Sequence, residues 1–169
     1  MRMKVVQFIA IITTALYLVP TGAHLFELPN KIALSPTEYL TVQKIYAGWS
    51  LFGIVIGIAL LATLAYTLLV RADRTSFALS FGAFVTLVAT QGLFWAFTYP
   101  VNAATGFWTV PPESFEVARW QWEYSHAASA VLTFAAFVAI VLAALIHNPS
   151  AERSSVTGVR RIDLSLSRE

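Results

Sequence analysis

The chain has 169 residues, 57% of them hydrophobic and only 12% charged, with 11 Lys and Arg against 9 Asp and Glu. A soluble domain carries roughly 25% charged residues, so this composition excludes a soluble enzyme as well as a disordered chain. There is no cysteine, which excludes disulfides, thiolate metal sites and a cysteine nucleophile.

A bilayer core about 30 Å thick is crossed by roughly 20 apolar residues in helix. Four stretches, 5–26, 47–70, 77–99 and 124–146, reach that length without a Lys, Arg, Asp or Glu. In lipid such runs satisfy their backbone as helices. The expected fold is therefore all-α and integral to the membrane. Residues 1–147 are expected to form an antiparallel bundle of four transmembrane helices, with two helical extensions making an outer-side cap.

In the first span Thr14, Tyr17, Thr21 and His24 recur at three- and four-residue steps and form one polar stripe, with Glu27 a turn beyond His24. The start MRMK, an apolar run and Thr21-Gly22-Ala23 also fit a cleaved signal peptide. Cleavage would leave three spans and expose His24 as an N-terminal copper chelator. A regular bundle needs the fourth span, which favours retention.

Beyond this span, Ser35-Pro36-Thr37-Glu38 combines an N-cap serine, a first-turn proline and a glutamate three residues on. The helix it opens is expected to run through EYLTVQKIYAGW unbroken into the second span. There Gly53 and Gly57, like Ala135, Ala139 and Ala143 in the fourth span, are small residues at four-residue spacing. Such spacing allows close helix approach, within the chain or in a homodimer.

The third span contributes Gln91, Trp95 and Tyr99 at four-residue spacing. Pro100 is expected to end it, because proline lacks a donor and disfavours helix at the residue before it. Asn102 would then cap freed carbonyls or face a ligand. Pro111-Pro112-Glu113 opens a helix that runs through Arg119, Glu123 and His126 into the fourth span. Each extension projects about 10 residues, or about 15 Å, past the hydrocarbon. His147, before Asn148-Pro149, suits a helix C-terminus. The tail 148–169 reads as polar and disordered.

Charge orients the spans. Arg2, Lys4, Arg71, Arg74, Arg153, Arg160, Arg161 and Arg168 fall at the termini and the 71–76 turn, whereas Lys31, Lys44 and Arg119 fall in the other two loops. By the positive-inside rule both termini are cytoplasmic, and loops 27–46 and 100–123 face the periplasm of a bacterial inner membrane or the external medium. The tail arginines read as topology signals and phospholipid contacts, with no nucleic-acid partner. Tyr39, Tyr46, Trp49, Trp95, Tyr99, Trp108, Trp120, Trp122 and Tyr124 gather on the outer side, where an aromatic belt accounts for part of the set.

Polar groups inside a membrane are costly and mark function. His24 and Glu27 end the first span, and Glu123 and His126 begin the fourth at the same depth. A helical Glu-x-x-His is the ligand spacing of di-iron bundles, so these four residues are the candidate ligands of iron, copper or zinc. Haem ligation by the two histidines also fits their depth. Without metal, His24 or His126 would accept a proton, Glu27 or Glu123 would orient the imidazole, and Arg119 would stabilise negative charge. Tyr17, Tyr46, Trp49, Gln91, Trp95, Tyr99 and Asn102 would line an outward-facing pocket for a lipophilic small molecule. In the structural alternative Arg119 and Glu123 form an ordinary i,i+4 pair.

The order Pro100-x-Asn102, Trp108, Pro111, then Arg119, Trp122 or Glu123, and His126 resembles a family of small four-helix membrane proteins that includes the fungal anthrone oxygenases. The likeness covers the latter part of the bundle; the first hairpin is similar in hydropathy only. Where many bacterial members carry Asn-x-x-Arg, this chain has His126-Ala-Ala-Ser129. The resemblance implies a four-helix fold and oxidation of a lipophilic aromatic or quinone-like compound. The other functional class is a non-enzymatic accessory, ligand-binding or envelope protein whose polar cluster is structural.

Overall fold

The computed structural model describes residues 2–147, and the tail assigned to 148–169 lies outside the described residues. Among the described residues the chain is all-helical: α1 Arg2–Lys31, α2 Pro36–Gln43, α3 Phe52–Leu69, α4 Arg74–Leu93, α5 Tyr99–Ala104 and α6 Phe115–Ile146. Four helices, Arg2–Lys31, Trp49–Leu69, Arg74–Ala104 and Phe115–Ile146, are long and apolar enough to cross a membrane. Helix α1 packs on α3 and α6, and α4 packs on the same two.

The shared interior is small and hydroxylated more than aliphatic, with Ala10, Thr14, Ala62, Thr63, Ala83, Thr133, Ala136 and Ile140 all buried. Threonine is tolerated there because its hydroxyl returns to the preceding turn. Thr14 donates to the Ala10 carbonyl at 2.8 Å and Thr133 to that of Ser129 at 2.7 Å. Large side chains point outward along the helices, among them Phe8, Leu16, Leu61, Phe134 and Leu145. That is the distribution a lipid surround rewards.

The expected small-residue contacts fall elsewhere. Side chains added at Gly53 or Gly57 would meet nothing within 4 Å, so these glycines bring no helices of this chain together. On α6 the buried face runs through Ser129, Thr133, Ala136, Ile140 and Ala143, while Ala135 is exposed.

Two expected element boundaries are corrected. Ser35 and Glu38 form the full reciprocal capping box, with Pro36 opening α2. The helix does not continue into the second span, however. It tightens to 3₁₀ over Lys44–Tyr46 and breaks at Gly48, whose φ of +85° lies in the left-handed region. Conversely, Pro100 does not stop the third long helix. A π-turn over Phe94–Thr98 precedes it, and the Tyr99 amide donates to the Phe94 carbonyl five residues back. The wider turn accommodates the missing proline donor, and helix resumes to Ala104. The Phe97 carbonyl accepts from Gln121 Nε2 at 2.9 Å, and Thr98 and Ser125 hydroxyls meet at 2.7 Å. Helix α6 starts beyond Pro111-Pro112 and runs unbroken, as the sequence predicts.

Candidate functional site

The last turns of α1 and the first turns of α6 bring the two histidine–glutamate motifs together. His24 and His126 stack with ring centroids 4.0 Å apart and planes inclined by 31°. His24 Nδ1 lies 2.8 Å from Glu27 Oε1. Tyr46, Trp49 and Trp122 surround the buried His24 ring at 4.6, 5.6 and 5.0 Å. Trp122 also meets the His126 ring at 4.2 Å. His126 is partly buried, the more exposed member of the pair, and makes no hydrogen bond to the other described residues.

A residue absent from the sequence assignment organises the cluster. Lys31, the last residue of α1, is 2% exposed, and its ammonium lies 3.2 Å from Glu27 Oε1 and 3.0 Å from Glu123 Oε1. It donates to the Tyr46 hydroxyl at 2.7 Å and sits over the Tyr46 and Trp122 rings at 4.4 and 4.6 Å. Tyr39, also missed, reaches over from α2 and donates to Glu123 Oε1 at 2.7 Å. Tyr46 donates to Glu27.

One cation therefore faces two carboxylates, and phenolic donors meet the remaining negative charge. Burial, followed by the adjacent Glu123, pushes the Tyr39 phenol well above its ordinary range. Burial and then Glu27 do the same for Tyr46. Both phenols keep their protons at every physiological pH and act as donors.

The four residues assigned as metal donors lie together, with Lys31 among them. The His24, Glu27, Glu123 and His126 donors were expected to converge on a cation. Among the described residues no group of three or more such side chains is placed to hold one. The position between the carboxylates belongs to Lys31, and the imidazoles present faces to each other in place of convergent nitrogens.

The expected Arg119–Glu123 pair is also replaced. Arg119 donates to the Leu34 carbonyl at 2.6 Å and pairs with Glu116, a turn earlier on α6. Its guanidinium is thereby committed to the start of α6 and the α1–α2 turn.

The other expected pocket residues scatter. Tyr17 is buried deeper along α1, where its hydroxyl donates to Thr90 at 3.1 Å and accepts from Gln91 at 3.2 Å. Trp95 is 61% exposed and packs on the exposed Tyr99 at 4.9 Å, away from the histidines. Asn102 accepts from the Trp122 indole at 2.7 Å and so fixes the ring that contacts both histidines.

Lys31 carried a signal that position alone could have revealed. It stands four residues after Glu27 and seven after His24, continuing the same helical stripe. Tyr39 carried none, since its partner Glu123 is 84 residues away. No known protein family, curated protein or solved structure matches this chain.

Proposed function

We propose that the chain is an antiparallel four-helix membrane protein with a metal-free acid–base site at its outer end, acting on a lipophilic phenol or quinol. Antiparallel order is supported by side-chain pairs at both ends of each contact. Gln7 reaches Tyr66 while His24 meets Trp49, and Ser76 reaches Ala143 while Thr98 meets Ser125. The Lys and Arg distribution supports cytoplasmic termini in a bacterial inner membrane, with α2 and the start of α6 as the periplasmic cap.

The observation that carries the functional reading is the more exposed His126 stacked on the buried His24, whose Nδ1 is held by Glu27. A partly accessible imidazole with no protein partner, backed by a hydrogen-bonded network, is built to accept a proton from a hydroxyl brought to it. The surrounding tryptophans and tyrosines suit an aromatic ring arriving from the bilayer. The Pro100-to-His126 pattern resembles a family, mostly of unknown function, that includes the fungal anthrone oxygenases, and the resemblance implies oxidation of such a compound.

Titration of the detergent-purified protein with a short-chain naphthoquinol, followed by tryptophan fluorescence, tests this. Saturable quenching is expected, because Trp122 touches His126. It should be lost in His126→Ala while the thermal midpoint is retained. Equal quenching in wild type and variant would refute the site. A second reading, that the cluster only fastens the helices together, is favoured by Lys31 bridging carboxylates of α1 and α6. It predicts that Lys31 variants lose stability and that His126→Ala changes nothing.

A further inference from the structure

Three of the buried polar atoms without a partner among the described residues belong to side chains around Tyr39: Trp108 Nε1, Arg119 Nε and Glu123 Oε2. All three side chains are more than nine-tenths buried. Gln43 stands one turn after Tyr39 on α2, and its amide is turned to the same phenol. The Trp108 ring packs on the Tyr39 ring at 5.0 Å, and the Arg119 guanidinium lies 5.6 Å from that ring. Glu123 receives the Tyr39 hydroxyl on its other oxygen, Oε1.

A buried donor or acceptor left unmet loses its full solvation, so two such donors and one acceptor around a single ring favour a guest. The donor set defines its chemistry. An anion would meet the Glu123 carboxylate, and a cation would meet two N–H groups. A hydroxyl donates one hydrogen bond and accepts two, so its proton can go to Glu123 Oε2 while its oxygen receives the two N–H groups.

The backbone supports a built site. Phe107 and Trp108 have φ of 58° and 64°, both in the left-handed region that ordinary residues avoid. The turn is held by the Phe107 amide on the Asn102 carbonyl at 2.6 Å and the Trp108 amide on Thr105 Oγ1 at 3.0 Å. A strained turn maintained in this way delivers a buried indole whose N–H has no protein acceptor.

We propose that the shell around Tyr39, formed by Trp108, Arg119 and Glu123, binds a neutral hydroxyl group, supplied by ordered water or by a phenolic ligand. The site uses Glu123 Oε2, the oxygen that Tyr39 and Lys31 leave free, and stands independently of the His126 reading.

X-ray-generated hydroxyl-radical footprinting of the full chain tests it, because bound water yields radicals beside buried side chains. Tyr66, equally buried but with its hydroxyl met by Gln7 at 3.4 Å, is the internal reference. Tyr39 should be modified several-fold faster than Tyr66, and a ratio near one overturns the site. In Trp108→Phe, which keeps an aromatic ring and removes one donor, the ratio should fall; an unchanged ratio also overturns it. Added 4-methylphenol separates the two sources, since the ratio cancels general scavenging. A saturable fall in the ratio identifies a phenolic hydroxyl as guest, and a constant, high ratio identifies water.

Discussion

A histidine–carboxylate pair lies at each end of α6, and the two are built in different ways. At the C-terminal end His147 Nδ1 lies 3.3 Å from Asp73 Oδ2. Asp73 is the N-cap of α4: it accepts from the Thr75 and Ser76 amides at 3.1 and 3.2 Å and from the Ser76 hydroxyl at 2.8 Å. Its charge is met mainly by residues within three positions of it. At the other end Glu27 and Glu123 are met by Lys31, His24, Tyr39 and Tyr46, drawn from α1, α2 and the 3₁₀ turn after it. The first pair is a helix cap with a histidine added. The second holds together segments that local structure would not join.

The sharpest way to break this contrast is Lys31→Met. The fully buried Glu123 carboxylate would keep only the Tyr39 hydroxyl, and removing one partner of a buried ion pair costs about 3–5 kcal/mol. Chemical unfolding in detergent should show that loss, with much of it restored when Glu123→Gln is added. A single variant within about 1 kcal/mol of wild type would mean that the network contributes little to the fold. Next in size is Tyr39→Phe, which deletes a hydrogen bond to a charged group and should cost about 1.5–3 kcal/mol. Tyr17→Phe deletes a neutral bond to Thr90 and one from Gln91, and because Gln91 also donates to Thr90 at 3.2 Å the net loss should stay near that of one bond, about 0.5–1.5 kcal/mol in the same assay. If the two phenols cost the same, the special standing of the histidine–carboxylate cluster is lost.

The same contrast explains what could be read in advance. The capping box at Ser35, the start of α6 after Pro112 and the four apolar runs are local patterns, and the structure reproduces them. The Gly48 break carried a local signal, a glycine free to adopt positive φ, that the unbroken-helix expectation passed over. The passage through Pro100 was not legible, since it depends on a π-turn that local propensity disfavours. Within the site, His24, Glu27, Glu123 and His126 are close together because their motifs lie at matched depth on facing helices. Which charge answers which was not encoded by spacing. Arg119 is the nearest cation to Glu123 along the chain, yet Lys31, from another helix, takes that place.

A smaller effect is expected at the other pair. Asp73→Ala removes a helix cap and should cost about 1 kcal/mol. Hydrogen bonds from the Ser76 hydroxyl and amide hold the Asp73 carboxyl below its ordinary range. A depressed carboxyl contributes stability that is present above its unfolded value, near pH 3.9, and that disappears as pH falls through its lower folded value. Unfolding curves of wild type and Asp73→Asn should therefore differ at pH 6, begin to converge below about pH 4 and coincide only below the folded value. A gap that persisted in acid would assign the contribution to packing.

The smallest effect, at Trp95, tests whether the aromatics at this end of the helices belong to the site or to the surround. Trp95 and Trp122 are both tryptophans at the same end of the long helices, but their surroundings have nothing in common. Trp122 is buried, donates to Asn102 and touches both histidines. Trp95 faces outward and leans on Tyr99. Trp95→Ala should stay within about 0.5 kcal/mol of wild type in detergent and leave quinol quenching intact, whereas Trp122→Phe should weaken both. Were Trp95→Ala to abolish quenching, the ligand would sit on the lipid-facing surface of the third long helix. The stacked histidines would then be a structural joint.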